Sequence, residues 1–158
     1  MEPMGTVEAL FDTEYDRLVG ALGVAYDPEA AADAVQEAFI EADRRWTTIG
    51  GYDDPAAWVR RVALNRLRTG RRLGRRRSEI LATIRPIPEA DVTVELLDLR
   101  HAIDALAPQQ RLAVCLVHLA GLTIEEAAAA LEVAAGTVKS NLHDARQRLR
   151  RSMEEQHG

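Results

Sequence analysis

The chain has 158 residues, a formal net charge of −5 and a single cysteine, Cys115, which excludes an internal disulfide and any cysteine-rich zinc site. Nearly half of the residues are apolar, yet only 4% are aromatic and many are alanine, a composition that favours closely packed helices over a β core. No apolar run approaches the roughly 20 residues of a membrane span, and the acidic start MEPMGTVEAL lacks the basic-then-apolar order of a signal peptide, so a cytoplasmic chain without membrane insertion is expected.

The charge lies in blocks. Residues 1–43 hold eleven acids against Arg17 alone, and residues 44–88 hold twelve arginines against Asp53, Asp54 and Glu79. Residues 89–158 hold eleven acids and seven bases, the bases gathered toward the end. Such asymmetry points to different partners for different segments.

In chain order, Thr6 to about Gly23 predicts a first helix with Val7, Leu10, Phe11, Leu18 and Leu22 on one side, closed by Gly23 and Asp27-Pro28. A second helix, Pro28 to Trp46, carries a stripe of Ala31, Val35, Ala38, Phe39, Ala42 and Trp46. Its opposite face shows Asp33, Gln36, Glu37, Ile40 and Glu41, which reads either as a solvated acidic face or as a docking surface. Thr47 to Asp54 reads as a loop by its Gly-Gly and Asp content. Asp54 then caps a third helix that has Pro55 in its first turn. Trp58, Val59, Val62, Ala63 and Leu67 form its buried side; Arg60, Arg61, Asn65, Arg68 and, beyond Gly70, Arg72 form its exposed side. The run Arg71–Arg77 extends that positive surface toward nucleic acid.

Ser78 to Thr93, with Pro86 and Pro88, reads as a linker. Val94 to Leu106 predicts a helix offering Leu96, Leu97, Leu99, Ile103 and Leu106 for burial. Pro108 opens another, running to Ala120 and stopped by Gly121, with Cys115 and His118 as packing residues. Thr123 and Glu126 have capping-box spacing, and Glu132-Val133-Ala134 has the length of a helix-turn-helix corner. The helix that follows places Val138, Leu142, Ala145 and Leu149 on its apolar side. Its other face shows Lys139, Ser140, Asn141, His143, Arg146 and Arg150, side chains suited to phosphates and base edges. The tail from Glu154 is expected to fray.

Chemistry is sparse. The four histidines are scattered over separate segments, and no phosphate-cradling glycine pattern, metal-ligand cluster or nucleophile grouping stands out. No catalytic residue, metal or cofactor is expected.

Three stretches in this order resemble a bacterial RNA polymerase sigma factor of the extracytoplasmic-function type: DAVQEAFIEADRRW (Asp33–Trp46), DPAAWVRRVALNRLRTGRR (Asp54–Arg72) and the segment Ala105–Arg150. The resemblance implies an all-α chain of two small helical domains: residues 1–77, a linker 78–93, and a helix-turn-helix domain 94–158. It implies core RNA polymerase and promoter DNA as partners, and an anti-sigma factor is common in the family although no residue here identifies one. Asp33, Gln36, Glu37, Ile40 and Glu41 would face the polymerase. Tyr52, Arg60, Arg61, Asn65, Arg68 and Arg72 would engage the minus-ten element, with extruded bases held by the Thr47–Asp54 loop. Trp46 and Trp58 could stack on such bases, but core packing is favoured for both. Thr137, Lys139, Ser140, Asn141, His143, Asp144 and Arg146 would read the minus-thirty-five element.

Departures from the family pattern sit in the reading unit. Glu132 replaces a frequent corner glycine, at a cost on the order of 1 kcal/mol if the backbone there is left-handed. Ala134 replaces a frequent capping serine, and Asn141 and Asp144 stand where arginine is common. Two other readings remain open: a stand-alone helix-turn-helix regulator, and a sigma-like decoy that binds protein but reads DNA poorly.

Overall fold

The computed structural model describes residues 5–70 and 94–157, and these residues form helices without a strand among them. The N-terminal group is α1 (Val7–Ala25), α2 (Pro28–Arg44), the single turn α3 (Trp46–Ile49) and α4 (Pro55–Thr69). The C-terminal group is α5 (Val94–Asp104), α6 (Pro108–Val114) running into a π-helical turn (Cys115–Leu119), α7 (Ile124–Leu131) and α8 (Ala135–His157).

The helix starts follow from side-chain oxygens placed three residues before free amides. Thr6 Oγ1 accepts from the Ala9 N–H at 3.1 Å, Asp27 Oδ2 from Ala30 at 2.9 Å, and Asp54 Oδ1 from Ala57 at 3.3 Å. Each satisfies a donor the first turn leaves unpaired. At α7 the box is reciprocal: Thr123 Oγ1 accepts from the Glu126 amide at 3.0 Å and Glu126 Oε1 from the Thr123 amide at 2.9 Å.

α2 packs on α1 and α4, and α8 packs on α5, α6 and α7. The two groups also pack on each other, α1 against the π turn and α6, and α4 against α7. Leu18, Leu22, Val35, Val59, Leu64, Leu116 and Val138 are fully buried in one cluster that runs through both. Small residues make this close approach possible: Ala21, Ala31, Ala38, Ala63, Ala113, Ala127 and Ala145 are all buried.

Several expectations change. α2 ends at Arg44, because Arg45 leaves helical geometry (φ −113°, ψ 19°), and Trp46 begins a separate turn. Part of the expected loop is therefore helical, anchored by fully buried Ile49. Gly50 closes that turn against the Trp46 indole, where a Cβ would come within 2.9 Å of the ring. Trp46 and Trp58 are both half-buried against the core. Leu99, offered for burial, lies on the outer side of α5, 39% exposed. His118 is likewise exposed while Cys115 is buried: the segment departs from α geometry at Cys115, whose carbonyl accepts from the Ala120 N–H at 3.0 Å in the π pattern. α8 continues through the expected frayed tail to His157. The Arg71–Arg77 run with Arg72, and the linker 78–93, lie outside the described residues.

Candidate nucleic-acid interface

α7 and α8 are joined by the three residues Glu132, Val133 and Ala134. Glu132 adopts φ 59°, ψ 43°, the left-handed conformation normally given to glycine. The Val133 amide donates back to the Ala128 carbonyl at 3.0 Å, so the corner closes in spite of the Cβ. Ala134 stands at the N-cap of α8, where its carbonyl accepts from Thr137 at 3.0 Å and its methyl offers no capping oxygen.

On α8, Val138, Leu142 and Ala145 are buried. This fixes the rotation of the helix and turns Thr137, Lys139, Ser140, His143, Asp144 and Arg146 to solvent, with Asn141 half-buried at the margin. His143 Nε2 lies 3.2 Å from the Gln147 side-chain nitrogen one turn on. The face combines cationic and uncharged hydrogen-bonding groups around one acid, Asp144.

On α4 the arginines divide. Arg61, Asn65 and Arg68 lie toward the outside. Arg60, expected to be exposed, is 4% exposed and points inward. Its Nη2 and Nε lie 2.6 Å and 3.3 Å from the two Glu14 carboxylate oxygens of α1, and its Nη1 lies 3.3 Å from Glu126 Oε2 of α7. Burial alone would lower the Arg60 pKa, but the two carboxylates outweigh it and the net shift is upward. The reason for the correction is helical geometry: Arg60 falls inside the arc of Ala56, Ala63, Leu64 and Leu67, all buried. Arg61 sits outside that arc, its side chain 44% exposed and 3.8 Å from Glu132. Tyr52 is 42% exposed in the middle of the segment that joins α3 to α4. The structure thus brings Arg61, Asn65 and Arg68 onto the outward side of α4 and turns Arg60 away from it.

α2 presents Asp33, Gln36, Glu37 and Ile40 outward, with Glu41 half-buried. Two of these acids are held from α4, Glu37 by Arg66 Nη1 at 3.1 Å and Glu41 by Arg66 Nη2 at 2.7 Å. Gln36 donates to the Tyr15 hydroxyl at 3.1 Å. Ile40, 53% exposed, borders a groove of about 600 Å³ whose floor includes Phe11 and Phe39 and whose rim includes Glu8, Asp12 and Asp43. Phe11 stacks on Tyr15 at 4.4 Å and meets Phe39 edge-on at 5.1 Å. Arg66, Tyr15 and Glu14 were not singled out from sequence. Glu14 carried a readable signal, an acid one turn before Leu18 on the apolar side of α1. Arg66 carried none, because its partners lie on another helix.

Among the described residues no group of three or more His, Cys, Asp or Glu could hold a metal ion, and no helix is long and apolar enough to cross a membrane.

Residues 96–149 match the family described as Sigma-70, region 4. The RNA polymerase sigma-E factor of Streptomyces antibioticus is 38% identical over 138 residues, covering 84% of this chain and 75% of that protein. The ECF RNA polymerase sigma factor EcfG of Rhodopseudomonas palustris (strain TIE-1) is 30% identical over 134 residues, covering 82% and 74%. The chain belongs to the extracytoplasmic-function sigma factors of the sigma-70 family. As a sigma factor it serves transcription initiation. Its fold resembles that of the sigma factor RpoE in a co-crystal structure with the anti-sigma factor NepR from Bartonella quintana. The TM-score is 0.70 over 93% of this chain and 95% of that one, at 23% identity.

Proposed function

We propose that this sigma factor binds core RNA polymerase through the outward face of α2, reads the minus-thirty-five element with α8, and engages and opens the minus-ten element with α4 and the loop before it. The observation that carries this reading is the orientation of α8. Burial of Val138, Leu142 and Ala145 leaves Thr137, Lys139, Ser140, His143, Asp144 and Arg146 on the free face of a helix-turn-helix, where side chains enter a major groove.

On α2, Ile40 beside the Phe11–Phe39 groove supplies apolar contact, and Asp33 and Gln36 supply the polar rim of a protein interface. On α4, Arg61 and Arg68 supply phosphate contacts and Asn65 a base-edge or sugar contact, with exposed Tyr52 available to stack on an unpaired base. Arg72, outside the described residues, is a further candidate for the minus-ten element by its sequence alone. Promoter opening then comes from capture of unpaired bases, so the chain acts in the cytoplasm without enzymatic activity, metal or cofactor. An anti-sigma factor, the partner named with the RpoE structure, is a further candidate ligand.

Reconstitution with core polymerase, followed by mapping of transcript starts, tests the proposal. Starts preceded by two shared elements are expected. A chain that neither binds core nor directs specific starts refutes it.

A further inference from the structure

Burial of Val138, Leu142 and Ala145 marks one line along α8, and the placing of its polar side chains follows from that line. At about 100° per residue, Ser140, Asp144 and Gln147 fall opposite it. Lys139, Arg146 and Arg150 fall along one flank and Arg148 along the other, and all four are exposed. Cations thus border the face on both sides, while its midline carries a hydroxyl, a carboxylate and an amide. A helix seated in a major groove meets phosphates with its flanks and base edges with its midline. Asp144 lies within about the first three turns of α8, the part of a recognition helix that reaches base edges.

Among the described residues the Asp144 carboxylate has no ion-pair or hydrogen-bond partner. Arg148, one turn on, is the cation that an acid at this spacing normally meets. Its Nη1 lies instead 3.5 Å from Gln110 Oε1 of α6. His143 and Gln147 engage each other, at 3.2 Å. The carboxylate is therefore left for a donor on the DNA.

The chemistry of that donor is narrow. An ionised carboxylate accepts hydrogen bonds and donates none. Guanine shows it two acceptors, and thymine an acceptor and a methyl group, so both are rejected. The major groove offers two donors, adenine N6 and cytosine N4. The adenine donor stands between its own N7 and the thymine O4 of its pair, and each repels the carboxylate. The cytosine donor has an acceptor on one side only, the guanine O6 of its pair. Cytosine is the base that an acceptor-only side chain selects.

We propose that Asp144 is a specificity-determining residue: its carboxylate accepts from the N4 amino group of one cytosine in the minus-thirty-five element, while Lys139, Arg146 and Arg148 hold the phosphates on either side. The inference rests on the assignment of α8 under Proposed function and adds to it the identity of a base. Cytosine at that pair should bind about tenfold better than any other base, within the range that one mismatched pair costs.

The test uses holoenzyme reconstituted from the full chain and core polymerase, and a promoter it transcribes, randomised through the minus-thirty-five region. Bound DNA is selected and sequenced for the wild type, Asp144→Ala and Asp144→Asn, with circular dichroism and core binding as checks on each chain. Asp144 is exposed, so both variants should fold.

The wild type should enrich cytosine at one pair. Asp144→Ala should lose that preference at that pair alone, bringing the about tenfold ratio close to one. Asp144→Asn should move the preference to adenine, whose N6 and N7 match a carboxamide. Two results overturn the proposal and leave α8 as the reader: no enriched cytosine responds to Asp144→Ala, or Asp144→Ala tightens every sequence alike, the mark of a carboxylate that only repels phosphates. Should Asp144→Ala not fold, Asp144→Asn decides alone, and cytosine enriched as in the wild type overturns the proposal. If no chain enriches any upstream sequence, the assignment of α8 itself fails and the proposal fails with it.

Discussion

Arg60 Nη2 lies 2.6 Å from Glu14 Oε1, and both side chains are almost fully withdrawn from water. This pair fixes α4 on α1 and separates the first α4 arginine from its neighbours. A buried ion pair of this kind is not strong evidence of net stabilisation, but removing one partner strands the other charge in the interior. Arg60→Ala should therefore cost about 3–5 kcal/mol, whereas Arg61→Ala, which loses only a surface pair, should cost less than about 1 kcal/mol. Urea unfolding followed by circular dichroism measures both. Equal, small losses would show that Arg60 is not held as described.

The corner of the helix-turn-helix carries two correctable costs. Glu132→Gly relieves a left-handed residue of its Cβ and should gain about 1 kcal/mol. Ala134→Ser supplies the absent capping oxygen and should gain about 1 kcal/mol. Denaturation midpoints of the single and double variants check this, with partial additivity expected because the two residues share one turn.

Two groups set opposite pH limits. The Glu126 carboxylate is held below its ordinary range, first by the Thr123 backbone N–H, against a desolvation effect, and further by Arg60. Its contribution is present at neutral pH and is lost as the pH falls below about 4.5. Burial pushes the Cys115 thiol up to about 11 from 9.0, so the folded state keeps a proton that the unfolded chain releases. The contribution of Cys115 is complete below pH 9 and declines between 9 and 11. Unfolding midpoints should fall more steeply over pH 9–11 in the wild-type chain than in Cys115→Ala, and more steeply below pH 4.5 than in Glu126→Gln. Parallel profiles would contradict these assignments.

Ile40 is half-exposed beside the Phe11–Phe39 groove, so Ile40→Glu should leave the fold intact. If α2 docks on polymerase, the substitution should weaken core binding by about tenfold or more, the scale of one central apolar contact. Titration of labelled chain with core polymerase measures it.

Helical periodicity made much of this molecule readable. The caps at Asp54 and Thr123, the corner Glu132–Ala134 and the buried side of α8 follow from local spacing, and the structure has each in place. Arg60 shows how a residue type can mislead. Its spacing to Ala56, Ala63, Leu64 and Leu67 places it on the buried side, but its charge suggested solvent. A buried arginine needs acids, and Glu14 and Glu126 are 46 and 66 residues away, beyond any local pattern. The same distance hid the hydrogen bonds that Arg17 and Arg111 donate to the Ala120 and Ala25 carbonyls, 103 and 86 residues apart. Backbone carbonyls have no sequence signature, so neither the packing of the two groups nor the π turn at Cys115 was legible.

The central claim is that α4 opens promoter DNA with its outward side while Arg60 serves the fold. Permanganate footprinting of holoenzyme on a promoter it transcribes tests this most directly, with the wild-type chain compared against a combined Asn65→Ala, Arg68→Ala variant. The variant should fold and bind core polymerase as the wild type does, yet leave the minus-ten thymines unreactive. A variant holoenzyme that exposes those thymines as fully as the wild type would contradict the account.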